Sequence, residues 1–256
     1  MTKVIGIVNQ KGGVSKTSTA TALWTGLSFH HGLKTLAIDL DPQCNLTISS
    51  GATMDGETVL DALMERCSAK DAIQHTELGD LIAAHKGLGG IEALLTKVGR
   101  EYRLRETIKP LIEGDIYDFI ILDTPPSMGI LTINALTACT STIIPAFADF
   151  FSMYGISQLA ETIDSVKQYT NPNIRIDGIL LTRYTDRTIL NRDMAENIKQ
   201  LAERLRTKVF KATIREAVNV REAQLSQKSI FTFAPKAKVT QDYANFIIEL
   251  LEGEKS

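Results

Sequence analysis

The feature that most restricts this chain is the junction between an apolar run, residues 3–9 (KVIGIVN), and the segment that follows it, residues 10–18 (QKGGVSKTS). A short apolar run of this kind suits a parallel strand buried on both faces. Residues 16–30 then follow a helical pattern, with Gly32 as its stop. A glycine-rich loop between strand and helix can aim consecutive backbone N–H groups at an anion, aided by the positive end of the helix. Gly12 and Gly13 supply the backbone freedom. The loop nevertheless departs from the pattern G-x-x-x-x-G-K-[ST]. With Lys16 and Thr17 as the K-[ST] pair, glycines belong at positions 10 and 15, where Gln10 and Ser15 stand. Ser15 fits only if its φ stays negative or the position accepts some strain. Lys11, in front of the loop, has no place in the standard pattern.

The rest of the chain repeats the alternation. Residues 34–40 (KTLAIDL), 117–122 (YDFIIL), 142–146, 174–182 and 208–213 read as further strands, separated by helical patterns such as 152–169 and 190–206. Strands alternating with helices of this length predict an α/β fold, a doubly wound and mostly parallel sheet with helices on both faces. Between residues 50 and 115 the pattern is weaker: 57–66, 91–98 and 104–112 read as helices and 81–84 as a short strand, an elaboration of the same sheet. No repeat, low-complexity tract or Pro/Gly/Ser-rich linker interrupts the pattern, so residues 1–256 are expected to form a single domain.

Composition narrows the function. The chain has 256 residues, 44% hydrophobic and 23% charged, enough for a core that needs neither disulfides nor a structural metal. Cys44, Cys67 and Cys139 have no C-x-x-C spacing, and the four histidines show no ligand spacing, which fits free thiols in a reducing cytosol. No apolar run reaches the ~20 residues that span a bilayer, and the N-terminus reads as a strand rather than a signal peptide. The net charge of −2 argues against a protein that permanently coats nucleic acid. Its distribution is uneven, however: residues 175–238 carry 14 Lys and Arg against 7 Asp and Glu, a candidate anion-binding face.

The motif K-G-G-x-x-K-T with a leading lysine resembles the deviant Walker A loop of the ParA/MinD family of P-loop ATPases. Other segments match in order. Asp39-Leu40-Asp41-Pro42-Gln43 resembles the family's D-x-D-P-Q motif, Asp123 its Walker B aspartate, and residues 124–127 (TPPS) its γ-phosphate switch. Residues 180–188 (LLTRYTDRT) resemble the segment near the base, residues 214–223 (IREAVNVREA) the I-P-R-N-V-R-L-S-E-A block, and residues 233–243 the ending of small partition ATPases. The resemblance implies ATP and Mg²⁺ as cofactors. It places Lys11, Gly12, Gly13, Val14, Ser15, Lys16, Thr17 and Ser18 on the phosphates, and Arg183, Arg215 and Ala217 around the base. Lys16 would reach the β- and γ-phosphates, Asp41 would orient the attacking water, and Thr17, Asp39 and Asp123 would serve the metal. Lys11 would reach phosphates bound by the other subunit of a dimer, making hydrolysis depend on dimerisation. The chain departs from the pattern at Arg215, Glu216 and Ala217, where Pro, Arg and Asn are usual, and at Cys44, where Gly is common.

The resemblance further implies a DNA-partition ATPase serving a plasmid or chromosome. Such a protein is a cytoplasmic monomer when free, and an ATP-dependent homodimer that binds double-stranded DNA without sequence preference on the nucleoid. A ParB-type partner stimulates its otherwise weak hydrolysis. Candidate DNA-contacting cations are Arg187, Arg192, Lys199, Arg206, Lys208, Lys211, Arg215 and Arg221. With only two residues ahead of the first strand, no N-terminal helix-turn-helix domain is expected. Two relatives of the family serve as alternatives. A MinD-like membrane switch needs a C-terminal amphipathic helix with a basic face; here the stripe Val239, Tyr243, Phe246, Ile247 and Leu250 is expected to pack on the core, and the polar face is acidic. An iron–sulfur reductase needs two cysteines at a dimer axis, and Cys44 and Cys67 lack that context.

Overall fold

The computed structural model describes residues 2–253. Seven strands form one sheet: β1 (Lys3–Ile7), β2 (Thr35–Asp39), β3 (Ile73–Thr76), β4 (Gly79–Ile82), β5 (Phe119–Asp123), β6 (Ser141–Ala146) and β7 (Arg175–Leu181), in the order β3-β4-β2-β5-β1-β6-β7. Every pairing is parallel except the β3–β4 hairpin at one edge. Parallel strands need crossover helices, and these cover both faces. On one face Ile5, Ile7, Ala37 and Ile121 pack under helices Lys16–His31, Val218–Leu225 and Lys238–Gly253. On the other, Val4, Leu36, Ile38 and Ile120 pack under helices Arg103–Glu113, Ile130–Ala138, Phe150–Tyr169 and Ile189–Arg204. β2 and β5 are buried at every position, the continuous apolar pattern of strands covered on both sides.

Two expectations fail locally. Residues 208–213 are not a strand. The segment runs beside β7 and makes only two isolated bridges, Ile179 with Val209 and Thr182 with Ile214. Between those bridges the N–H groups of Lys211 and Ala212 donate to the Glu249 carboxylate, 2.9 Å each, so the ladder cannot continue. Between residues 50 and 115 the helices are shorter, Val59–Leu63 and Ile91–Leu94, and the strand predicted at 81–84 is shifted to Gly79–Ile82 with β3 as its unforeseen hairpin partner. β3 reads IQHT and none of it is fully buried, so no apolar run announces it.

The C-terminal helix Lys238–Gly253 lies on helix Lys16–His31, with Val239, Tyr243, Phe246, Ile247 and Leu250 all buried as their spacing predicts. The end of the acidic tail, residues 254–256, lies outside the described residues. The crossing is close at Gly26. A Cβ there would run into Ile247 Cδ1 and stand 2.7 Å from Phe231 Cε2. Alanine would gain about 1 kcal/mol of helix propensity, but overpacking a filled core typically costs about 1–3 kcal/mol. Gly26→Ala is therefore expected to lower the urea midpoint; a raised midpoint would show that the C-terminal helix can shift away.

Candidate nucleotide site

Sheet register builds the site. Asp123, the last residue of β5, pairs with Ile7 of β1 on one side and Asp39 of β2 on the other. The loop after β1 and both carboxylates therefore emerge abreast at the carboxyl edge of the sheet, where ligands of open α/β sheets bind. Asn9 starts the loop: its Nδ2 donates to the Pro145 carbonyl at 2.7 Å, and its Oδ1 accepts from the Lys11 N–H at 2.9 Å. Gly12 and Gly13 face open space and Gly13 has φ +76°, so the loop curls with its backbone exposed. The far end is anchored by Val14, whose carbonyl accepts from Thr182 Oγ1.

Ser15 has φ +68° and accepts the strain, leaving its carbonyl to receive the Thr19 N–H of the first helical turn. Cys44 has φ +56° and also sits directly ahead of a short helix, Asn45–Ser49. Position 15, a glycine in the standard loop pattern, and position 44, a common glycine in the family motif, are thus both left-handed, and each non-glycine residue costs roughly 1–2 kcal/mol there. The Cys44 side chain is fully buried, so the lost freedom is offset by apolar contact.

Lys16 is the first residue of the helix and is almost fully buried. Burial pulls its pKa down, while Asp123 and Asp41 push it up. Its Nζ donates to the Lys11 carbonyl at 3.1 Å, which holds the amine across the mouth of the loop. Asp41 is buried and lines the cleft; its Oδ1 accepts from the Gln43 N–H at 2.9 Å. Its Oδ2 has no hydrogen bond among the described residues and is left for a ligand.

The two remaining carboxylates differ. Asp39 Oδ1 accepts from the Asp41 N–H, and Oδ2 accepts from both the N–H and the hydroxyl of Thr47. Burial pushes its pKa up to about 6 against those donors. Asp123 is fully buried, and among the described residues neither of its oxygens has a partner with hydrogen-bond geometry. Burial, then the charge of Asp39, pushes it well above the carboxylate range, with the nearby Thr17 hydroxyl and Lys16 acting the other way. Buried orphan oxygens beside a threonine hydroxyl fit a Mg²⁺ ion, which takes oxygen ligands and keeps waters and phosphates in its shell. Thr17 and Asp123 are the residues that would hold such an ion, whereas Asp39 is spent on shaping the turn that carries Asp41 and the helix Asn45–Ser49.

A cleft of about 670 Å³ runs along these groups, from Asp41 and Pro126 past Gly12, Lys16 and Thr17 to Arg183 and Arg221. A narrower recess continues from Ser15, Ser18 and Arg183 to Arg215, Glu216, Ala217 and Tyr243. The sequence reading missed one wall. Ile48, Gln224, Leu225 and Gln227 line the cleft, and Gln224 Nε2 donates to Ser18 Oγ at 3.3 Å. Ile48, Gln224 and Leu225 lie on two helices, and Gln227 in the turn after the second, that only the folded chain sets against the loop, and no motif marks them.

Lys11 does not line this cleft. Its Nζ is 2.6 Å from Asp149 Oδ2 and 5.1 Å from the centre of the Phe147 ring, which also carries Arg183 at 5.4 Å. Burial pushes the Asp149 carboxyl up, but hydrogen bonds from Lys11 and Ser152 outweigh it and leave the pKa below its ordinary value. Asp149 was not foreseen; its one signal is its place ahead of the helix Phe150–Tyr169, whose N-terminus it caps.

The basic segment divides. Arg187, Arg192, Lys199 and Arg206 are exposed on and around the helix Ile189–Arg204, on one side of the sheet. Lys208 and Lys211 follow it beside β7 and meet the C-terminal helix of the opposite layer, Lys211 through its backbone and Lys208 near Gly253. Arg221 lines the nucleotide cleft. Arg215 is held in a fork by Asp242, with Nε at 2.6 Å and Nη2 at 2.8 Å. The eight candidate cations therefore do not share one face.

Backbone donors on one wall and metal-seeking carboxylates on the other are what a nucleoside triphosphate with Mg²⁺ requires, so fold and site together define a P-loop nucleotide-binding protein. A family model described as an AAA domain matches residues 2–176. The chain is 35% identical to the chromosome partitioning protein ParA of Caulobacter vibrioides over 99% of its own length and 95% of the relative's. It is 36% identical to the sporulation initiation inhibitor protein Soj of Bacillus subtilis, over 98% of each chain. Among solved structures, cobyrinic acid a,c-diamide synthase from Mycobacterium smegmatis, with bound ATP analog and magnesium, matches at 33% identity, covering 100% of this chain and 96% of that one, with a TM-score of 0.87. The chain belongs to the ParA/MinD family, and its cofactors are ATP and Mg²⁺. Among the described residues no helix is long and apolar enough to cross a membrane.

Proposed function

We propose that this chain is a DNA-partition ATPase of one domain. Two ATP-bound copies close face to face, the closed dimer holds double-stranded DNA without sequence preference, and a ParB-type partner triggers hydrolysis. The observation that carries the reading is the position of Lys11. It stands at the front of the phosphate loop yet points away from its own cleft toward Asp149. A lysine so placed is free to serve a nucleotide held by a second copy, once its half-buried pair with Asp149 opens. In that arrangement Lys16 and the loop backbone bind the phosphates, Thr17 and Asp123 hold Mg²⁺, which neutralises phosphate charge, and Asp41 positions the attacking water.

For DNA, the set that favours the reading is Arg187, Arg192, Lys199 and Arg206. Arg192 and Lys199 lie two helical turns apart, on one stripe beside the buried stripe of Ala195, Ile198 and Ala202. A dimer presents that stripe twice, so affinity rises steeply with ATP. Arg215 contributes little, because its guanidinium is already forked onto Asp242. The membrane-switch alternative is disfavoured, since the apolar stripe it would insert is packed on the core.

The test is a titration of plasmid-length duplex DNA with ATP, with ADP and without nucleotide, at ~50 and ~200 mM salt. Binding is expected only with ATP, falling by an order of magnitude or more at the higher salt if several phosphates are contacted. Binding that ignores nucleotide, or none at all, would leave the chain a switch that acts on proteins alone.

A further inference from the structure

The recess beyond Ser15 and Ser18 contains a group that the function proposed above does not use. It is the continuation of the phosphate cleft away from the metal end, and the two share Ser15, Ser18, Arg183 and Arg221. Ile214, Ala217, Val220 and Tyr243 give it apolar walls suited to a planar ring. A nucleoside whose phosphates lie on the loop reaches this recess with its base when it extends past Ser15 and Ser18, which the two cavities share.

The wall is fixed on both sides of residue 216. Ile214 donates its N–H to the Leu181 carbonyl at 2.9 Å and accepts the Tyr184 N–H at 3.0 Å. Arg215 is held by Asp242 through its backbone N–H as well as its guanidinium. Ala217 begins the helix Val218–Leu225. Between these anchors Glu216 is exposed to the recess and makes no ion pair or side-chain hydrogen bond among the described residues. Among the described residues that line this recess it is the only carboxylate. The cations Arg183 and Arg221 line it as well, while the third, Arg215, is already paired.

A carboxylate accepts hydrogen bonds and donates none. The polar edge of adenine offers it one donor, the 6-amino group, beside the N1 acceptor, which repels it. The edge of guanine offers two adjacent donors, N1–H and the 2-amino group, which a carboxylate takes as a bidentate pair. The guanine 6-oxo group is an acceptor, suited to an arginine such as Arg183 or Arg221. We infer that Glu216 reads the base edge, and that this chain accepts guanine nucleotides alongside ATP. The inference rests on the proposed nucleotide site and adds a specificity-determining residue to it.

Displacement of a fluorescent N-methylanthraniloyl ATP by ATP, GTP and ITP tests it, with Mg²⁺ present. Hypoxanthine keeps N1–H and lacks the 2-amino group, so ITP reports the loss of one of the two donors. In the unaltered protein GTP is expected to compete within about tenfold of ATP, and to bind more tightly than ITP. Glu216→Ala is expected to weaken GTP relative to ATP by about tenfold or more and to erase the gap between GTP and ITP. Glu216→Gln, which keeps the shape and loses the charge, should lower the same ratio. GTP more than a hundredfold weaker than ATP in the unaltered protein would overturn the inference, as would a GTP-to-ATP ratio that neither substitution moves. If the fluorescent ATP itself does not bind, the nucleotide site fails first; if it binds and GTP does not compete, only the reading of Glu216 fails.

Discussion

Lys16→Ala is expected to abolish productive nucleotide binding, with ATP affinity falling roughly 30-fold to several-thousand-fold, the range in which truncating one partner of a buried charge pair falls. The amine is nearly fully buried, so it meets phosphate without competing water, and it is held across the loop by the Lys11 carbonyl. It is also the cation nearest to Asp123 and Asp41 in charge balance, since both act to keep it protonated. Its removal leaves a pocket of carboxyls facing a polyanion. The fold itself should survive, because Asp123 and Asp39 are already held above their ordinary pKa and can take up protons in place of a lost counter-charge. Fluorescent ATP binding and a thermal melt separate the two effects. An affinity within threefold of the unaltered protein would remove Lys16 from the phosphate site.

Asp41→Ala is expected to separate binding from turnover. A residue that orients or deprotonates an attacking water contributes about 10²–10⁴-fold to rate. Asp41 lines the cleft with one oxygen fixed by the Gln43 N–H and the other unbonded. It takes no part in the orphan pair at Asp123, so ATP affinity should change only a few-fold while phosphate release falls by two orders of magnitude or more. In the DNA titration the altered protein should stay bound for as long as ATP is present. Phosphate release at the unaltered rate would show that another group positions the water.

The two substitutions rest on parts of the chain with different legibility. β1, the loop after it and the start of the first helix were readable because buried parallel strands are continuous apolar runs and glycine marks a required curl. Asp39 and Asp123 were readable because each ends such a run, and Asp41 because it follows two residues past one. β3 was not, because an edge hairpin of mixed polarity carries no periodic signal. Residues 208–213 misled for the opposite reason: the local pattern suits a strand, but Glu249, far along the chain, takes the N–H groups that a ladder would need. The charge count of residues 175–238 promised one basic face, yet the chain crosses from one helical layer to the other within it.

What the sequence determined by itself is the class of fold and a set of residues, Lys16, Thr17, Asp41 and Asp123, that the fold gathers at the carboxyl edge of the sheet. Those depend on short-range facts: apolar runs, a glycine pair, and side chains fixed just past strand ends. What the tertiary structure decided is commitment. It spends Asp39 on a turn and leaves Asp123 open. It turns Lys11 onto Asp149 and out of its own cleft, forks Arg215 onto Asp242, and leaves Glu216 in the recess without an ion pair among the described residues. Which donor meets which acceptor is set by sheet register and helix packing between residues as far as 206 positions apart, and no local pattern encodes such a pairing.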